Sequence, residues 1–181
     1  MPPLRSLCVF CGSASGRDTA YATAAHAFGA MLGERGIALV YGGARLGLMG
    51  IVADAALAAG GTVVGVMPRG LWAREIGHTG LTEMHVVETM HERKALMAAR
   101  ADAFLALPGG AGTLDELFEI WTWAQIGIHD KRVALLNVAG YYDPLLAAIE
   151  HMMAEGFIRP AQRALLIDDA DPTRLLERLG T

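Results

Sequence analysis

A carboxylate placed just beyond a glycine-rich turn is the arrangement in this sequence best suited to chemistry. In 103–119, AFLALPGGAGTLDELFE, an apolar run ends at Pro108, glycines follow at 109, 110 and 112, and Thr113 leads into a helical pattern. Glycines let backbone N–H groups approach an anion closely, and a helix N-terminus adds unpaired donors and partial positive charge. Gly109, Gly110 and Gly112 with Thr113 therefore form a candidate phosphate cradle, with the Glu116 carboxylate beside it, and Ala111, Leu114 and Asp115 of the same stretch are added as substrate-binding candidates. Cradle and acid together point to an enzyme acting on a phosphorylated sugar. The Thr113–Glu116 pair also has the T-x-x-E spacing of a capping box, whose side chains only satisfy first-turn backbone donors. A cap needs no three glycines before it.

A second cluster lies upstream in TMHERKALM (89–97), where Arg93 and Lys94 open a helical segment. Arginine suits bidentate contact with phosphate or carboxylate, and lysine adds a mobile point charge. On its own such a pair reads as a solvated helix face. Glu75, in AREIGHTG, reads as a surface-loop acid. Cys8 and Cys11 are spaced C-x-x-C inside a strand-like run, where positions three apart face opposite ways, and no second pair completes a zinc site. Two reduced core cysteines are expected, and with six scattered histidines neither a metal nor a cofactor.

These groups need a scaffold, and the hydrophobic pattern supplies one. Strands are predicted at 6–11, 38–41, 62–67, 84–87, 103–107, 132–137 and 165–167. Helices are predicted at 19–35, 48–59, 90–101, 113–126, 144–155 and 173–179. The alternation implies an α/β fold, a Rossmann-like doubly wound parallel sheet, forming a single domain over 1–181. Three glycine-rich loops, 11–16, 41–50 and 108–113, follow strands and should gather at the carboxyl edge of the sheet, where such folds bind ligands.

Bulk properties narrow the partners. The 181 residues are 53% hydrophobic, which fits a buried parallel sheet plus a subunit interface. The longest charge-free run is 15 residues (19–33), short of the roughly 20 that a membrane span needs. A net charge of −4 without a basic cluster argues against nucleic acid. The start of the chain lacks the features of a signal peptide, so a cytoplasmic location is expected. No G-x-x-x-x-G-K-[ST] is present, and Asp115 stands where the dinucleotide fingerprint needs its third glycine.

Taken together, M-H-x-R-K followed by P-G-G-x-G-T-x-x-E resembles the Lonely Guy family of cytokinin riboside 5′-monophosphate phosphoribohydrolases. The likeness runs through CGS (11–13), YGG (41–43), GLMG (47–50), WTWAQIGIHDK (121–131) and GYYDPLL (140–146). Members have often been labelled lysine decarboxylases, yet no feature here supports pyridoxal phosphate chemistry. The resemblance implies a Rossmann-like fold and hydrolysis of the N-glycosidic bond of N6-modified adenosine 5′-monophosphates, AMP among the candidates, to free base and ribose 5-phosphate. It matches Arg93 and Glu116 to the catalytic pair, and Gly110, Gly112 and Thr113 to the phosphate turn. Glu75, Lys94 and Thr122 match further substrate contacts, and Ser13, Gly43 and Met90 are added as candidates. Three tasks suit Arg93: orienting Glu116, holding phosphate, or stabilising the departing base. The resemblance also implies a homodimer with sites near the subunit interface. Two alternatives stay open: a non-catalytic nucleotide or cofactor carrier on the same fold, and a general nucleoside monophosphate hydrolase.

Overall fold

The computed structural model describes residues 4–72 and 76–180. The described residues form seven strands and seven α-helices, mostly in alternation: β1 Ser6–Phe10, α1 Thr19–Glu34, β2 Ala38–Tyr41, α2 Gly47–Ala58, β3 Val63–Pro68, β4 Glu83–Val87, α3 Met90–Arg100 and β5 Ala103–Ala106. After these come α4 Ala111–Gln125, β6 Val133–Leu136, α5 Asp143–Ala154, the short α6 Pro160–Arg163, β7 Leu166–Asp169 and α7 Pro172–Gly180. All strand pairs are parallel, in the order β4-β3-β2-β1-β5-β6-β7. The chain winds outward from β1 in one direction and then from β5 in the other. The topological switch point therefore falls between β1 and β5, where a ligand crevice is expected.

Because side chains alternate across a strand, β1 feeds two cores at once. Leu7, Val9 and Cys11 pack with Phe28, Leu32, Val52 and Leu176, from α1, α2 and α7. Cys8 and Phe10 pack with Met97, Leu117, Trp121 and Ile149, from α3, α4 and α5. The result is a three-layer sandwich with the sheet buried on both faces, the burial that its near-continuous apolar runs require. Both cysteines are free and buried on opposite sides of the sheet. Burial, aided by the Glu116 charge, pushes both thiols well above their ordinary value, so neither is a thiolate nucleophile.

Trp121 is buried in this core, whereas Trp72 is partly exposed. Among the described residues no helix is long and apolar enough to cross a membrane.

Candidate active site

All three predicted glycine loops do lie at the carboxyl edge, but their helices differ in what they leave open. At α1, the Asp18 carboxylate caps the first turn, accepting from Ala20 N–H at 2.8 Å. At α2, the Gly12 carbonyl occupies the N–H groups of Leu48 and Met49. At α4, Gly110 is the N-cap and offers no side-chain cap. The N–H groups of Ala111, Gly112 and Thr113 find no acceptor among the described residues. Of the three loops, the third alone leaves its first three helical N–H groups all without an acceptor among the described residues, at a helix's positive end.

The helix starts two residues earlier than its sequence pattern implies, and this changes what Glu116 does. Thr113 falls in the first turn rather than at the N-cap and is buried. The capping-box reading of Thr113–Glu116 is thus incorrect. Glu116 instead sits in the second turn, four residues after Gly112 and on the same face, about 6 Å further along the axis.

That face closes a cavity of about 220 Å³, lined on α4 by Gly110, Ala111, Gly112, Thr113 and Glu116. Cys11, Gly12, Ser13, Met49 and Arg93 form its other walls. A Cβ on Gly110 or Gly112 would meet no protein atom within 4 Å, and neither residue has a positive φ. The fold therefore does not demand glycine at either position; a ligand needing close access to their amides would. Gly109 differs, since a Cβ there would lie 2.0 Å from Thr113 Oγ1.

Arg93 reaches the cavity from α3. The capping box that α4 lacks is present here: Thr89 Oγ1 accepts from Glu92 N–H at 3.1 Å, and the Glu92 carboxylate accepts from Thr89 N–H at 3.1 Å. One turn on, Arg93 is buried rather than solvated. Its Nε donates to the Val66 carbonyl at 3.1 Å and its Nη2 to the Gly42 carbonyl at 3.4 Å. Gly42 makes room, because a Cβ there would lie 2.0 Å from Nη2. Held by one carbonyl within β3 and one just past β2, the guanidinium turns Nη1 toward Glu116 Oε1 at 3.6 Å. Both side chains are about nine-tenths buried, so the ion pair is little screened.

Similarity to known proteins agrees with this geometry. The protein family described as "Possible lysine decarboxylase" matches residues 49–179. The cytokinin riboside 5′-monophosphate phosphoribohydrolase of Rhodococcoides fascians is 54% identical over 167 residues, covering 92% of this chain and 84% of that protein. Its Arabidopsis thaliana counterpart is 48% identical over 175 residues, covering 97% and 82%. This chain belongs to the cytokinin riboside 5′-monophosphate phosphoribohydrolase family. A molybdenum cofactor binding protein from Rippkaea orientalis shares the fold, with a TM-score of 0.71 at 18% identity over 98% of this chain and 96% of that one.

Within the phosphoribohydrolase family frame, the lysine decarboxylase description has no support in the side chains. A carbonyl cofactor needs a lysine in the site, and the only two lysines point elsewhere. Lys131 Nζ donates to the Ala98 carbonyl at 2.8 Å. Lys94 Nζ pairs with Asp115 at 2.7 Å and Glu119 at 3.2 Å. Burial disfavours the Lys94 charge, but the hydrogen bonds to Asp115 and Glu119 outweigh it and raise its pKa. Lys94 is thereby a brace between α3 and α4.

The remaining expected contacts scatter. Ser13 lines the cavity. Asp115 is taken by Lys94, and Leu114 packs against the core. Gly43, at φ 79°, lies under Met84 and lines neither this cavity nor the adjoining one. Met90 is partly exposed, its Sδ 3.9 Å from Arg93 Nη1, and Thr122 is exposed further along α4. Glu75 lies outside the described residues. Gly109 lines the adjoining cavity of about 260 Å³, which shares Gly12, Ser13 and Gly110 with the first and is walled by Tyr21 and Tyr141. Sequence reasoning assigned no role to Tyr141 or Tyr142. Their one signal was the GYYD stretch, which has no chemical pattern of its own.

Proposed function

We propose that this chain hydrolyses the N-glycosidic bond of N6-modified adenosine 5′-monophosphates, releasing the free base and ribose 5-phosphate. One observation carries the reading. The unpaired amides at Gly112 and Thr113 and the Glu116 carboxylate share a face of α4, one turn apart in one cavity, with Arg93 against the carboxylate. A 5′-phosphate on those amides neutralises part of its charge against the helix end and fixes the attached ribose. The bond from C1′ to the base nitrogen then breaks, and positive charge builds on the sugar ring. The Glu116 carboxylate, buried beside Arg93, stabilises that charge and draws a proton from the water that adds to C1′. The water oxygen stays on the sugar, and the proton taken up by Glu116 is passed on, through solvent, to the departing nitrogen, which returns Glu116 to its carboxylate form. Arg93 touches no leaving group in this scheme; its two carbonyl anchors make it the residue that orients Glu116.

Incubating the protein with N6-isopentenyladenosine 5′-monophosphate and with AMP, then separating products by chromatography, tests the reading. Free base and ribose 5-phosphate in equal amounts are expected, with the N6-substituted nucleotide turned over faster. Tight nucleotide binding without base release would favour a carrier, and equal turnover of a broad monophosphate panel would favour a general hydrolase.

The reading extends to a homodimer. Val86, Met90, Ile126 and Ile128 are exposed apolar residues around α3 and α4, a composition suited to burial against a second copy. Thr122, exposed on the same helix, would take part in substrate binding through that interface. Sedimentation at micromolar concentration should give twice the 19.2 kDa chain mass; a clean monomer would overturn it.

A further inference from the structure

Three consecutive carbonyls precede the open amides of α4, and each has a donor. Tyr142 Oη donates to the Leu107 carbonyl at 2.6 Å, Gly12 N–H to the Pro108 carbonyl at 3.0 Å, and Tyr141 Oη to the Gly109 carbonyl at 2.5 Å. The fourth, Gly110, accepts the first intrahelical bond, from Leu114 N–H at 3.1 Å. Every oxygen from 107 to 110 is thus engaged while the following N–H groups are not. For an anion this separation matters, since a carbonyl oxygen turned toward a phosphate repels it.

The tyrosines are held for this task by a separate piece of chain. After β6, Ala139 and Gly140 both take positive φ, 49° and 71°, turning the backbone sharply. Asn137 stabilises the turn, accepting from Tyr142 N–H at 2.8 Å and donating to Asp143 Oδ1 at 2.7 Å. At Gly140 the positive φ favours glycine, and a Cβ there would also crowd the Asp143 carboxylate, 2.7 Å from Oδ2. The turn sets two successive tyrosine rings edge to face, 5.0 Å apart, with hydroxyls on two carbonyls either side of Pro108. Tyr21 packs edge-on against Tyr141 at 5.4 Å and completes the support. Burial pushes the Tyr142 phenol well up, so its hydroxyl stays protonated and remains a donor.

We propose that Tyr141 and Tyr142 are positioning residues that clamp the carbonyls of Leu107 and Gly109 so that the turn offers its phosphate only donors. This rests on the phosphate assignment made above. Neither tyrosine touches the reacting atoms. Their effect falls on ground state and transition state alike, which appears in KM and not in kcat.

The test uses Tyr141→Phe and Tyr142→Phe in the full chain, with ribose 5-phosphate binding measured by calorimetry beside steady-state kinetics. Loss of one such hydrogen bond should weaken ribose 5-phosphate binding and raise KM by roughly three- to tenfold, with kcat within about twofold. Tyr141 is partly exposed and keeps its ring, so that variant still reports should the buried Tyr142 change impair folding. Equal ribose 5-phosphate affinity in wild type and both variants would overturn the clamp while leaving the hydrolase reading intact, as would a fall in kcat at constant KM. Absence of ribose 5-phosphate binding to the wild type would overturn the phosphate assignment and the clamp with it.

Discussion

At the start of α3, Thr89 and Glu92 satisfy each other's backbone donors; in α4, Thr113 and Glu116 repeat the spacing and make no such box. The difference lies in where the helix begins. Thr89 is the N-cap, so its hydroxyl accepts from Glu92 N–H, and the Glu92 carboxylate bonds back to N–H groups at 88 and 89. In α4 the helix starts two residues ahead of Thr113, at Ala111. That shift leaves the first-turn amides unclaimed and carries Glu116 round to the cavity. A closed helix end supports; an open one binds. One spacing thus serves anchorage in one helix and the proposed chemistry in the other, and register decides which.

The largest expected contrast comes from neutralising the two glutamates in turn. Glu116→Gln keeps the shape of the cavity but removes the charge that faces the sugar, and turnover should fall by roughly 10²–10⁴-fold with nucleotide still bound. Glu92→Gln should leave turnover within about twofold, because glutamine still reaches the Thr89 backbone. Equal turnover in both variants would remove Glu116 from the mechanism.

Filling the open end is the next test. Alanine at position 112 meets no protein atom and replaces a glycine in a helical turn, so Gly112→Ala should stabilise the fold by about 0.5–1 kcal/mol. The same methyl occupies the approach to the amides, and KM should rise roughly tenfold, equivalent to about 1.4 kcal/mol. A rise in Tm paired with weaker substrate binding is a signature that a purely structural turn would not give. At the closed end the expectation reverses. Thr89→Ala should lose about 1 kcal/mol of stability in denaturant titrations and leave KM unaltered.

How much of this was legible in the sequence follows from how local each feature is. All seven strands fall within a residue or two of their apolar runs; the five central ones are buried on both faces and need such runs, whereas the edge strands β4 and β7 are only partly buried. The start of α4 differs from the sequence pattern because T-x-x-E at 113–116 imitates a capping box, whereas here Gly110 takes the N-cap and keeps the end open. The four-residue α6 is too short to carry a period. Arg93 reads as a surface cation until β2 and β3 bring two carbonyls and the gap at Gly42 to it. Lys94, adjacent in sequence, is diverted by Asp115 and Glu119, a pairing set by how α3 and α4 pack. Residue types announced the chemistry; partners brought in from distant segments assigned the roles.

The smallest effect separates structural from functional carboxylates by pH. Asp102, exposed just before β5, resembles Glu92 in that it accepts from two backbone N–H groups, those of Arg5 and Ser6, each at 3.0 Å. Burial works to raise its pKa, but these bonds prevail and the carboxyl sits below its ordinary value. A depressed folded-state pKa contributes stability that is present above the unfolded value and is lost as pH falls through the folded one. Wild type should therefore lose Tm more steeply than Asp102→Asn as pH falls from about 5 to about 2, by roughly 1–2 °C. Above about pH 6 the two should turn over nucleotide equally, since Asp102 lines neither cavity. Parallel melting curves would mean that these two backbone bonds contribute nothing net, and that tying a carboxylate to amides on an exposed edge is worth less than tying one at a helix end.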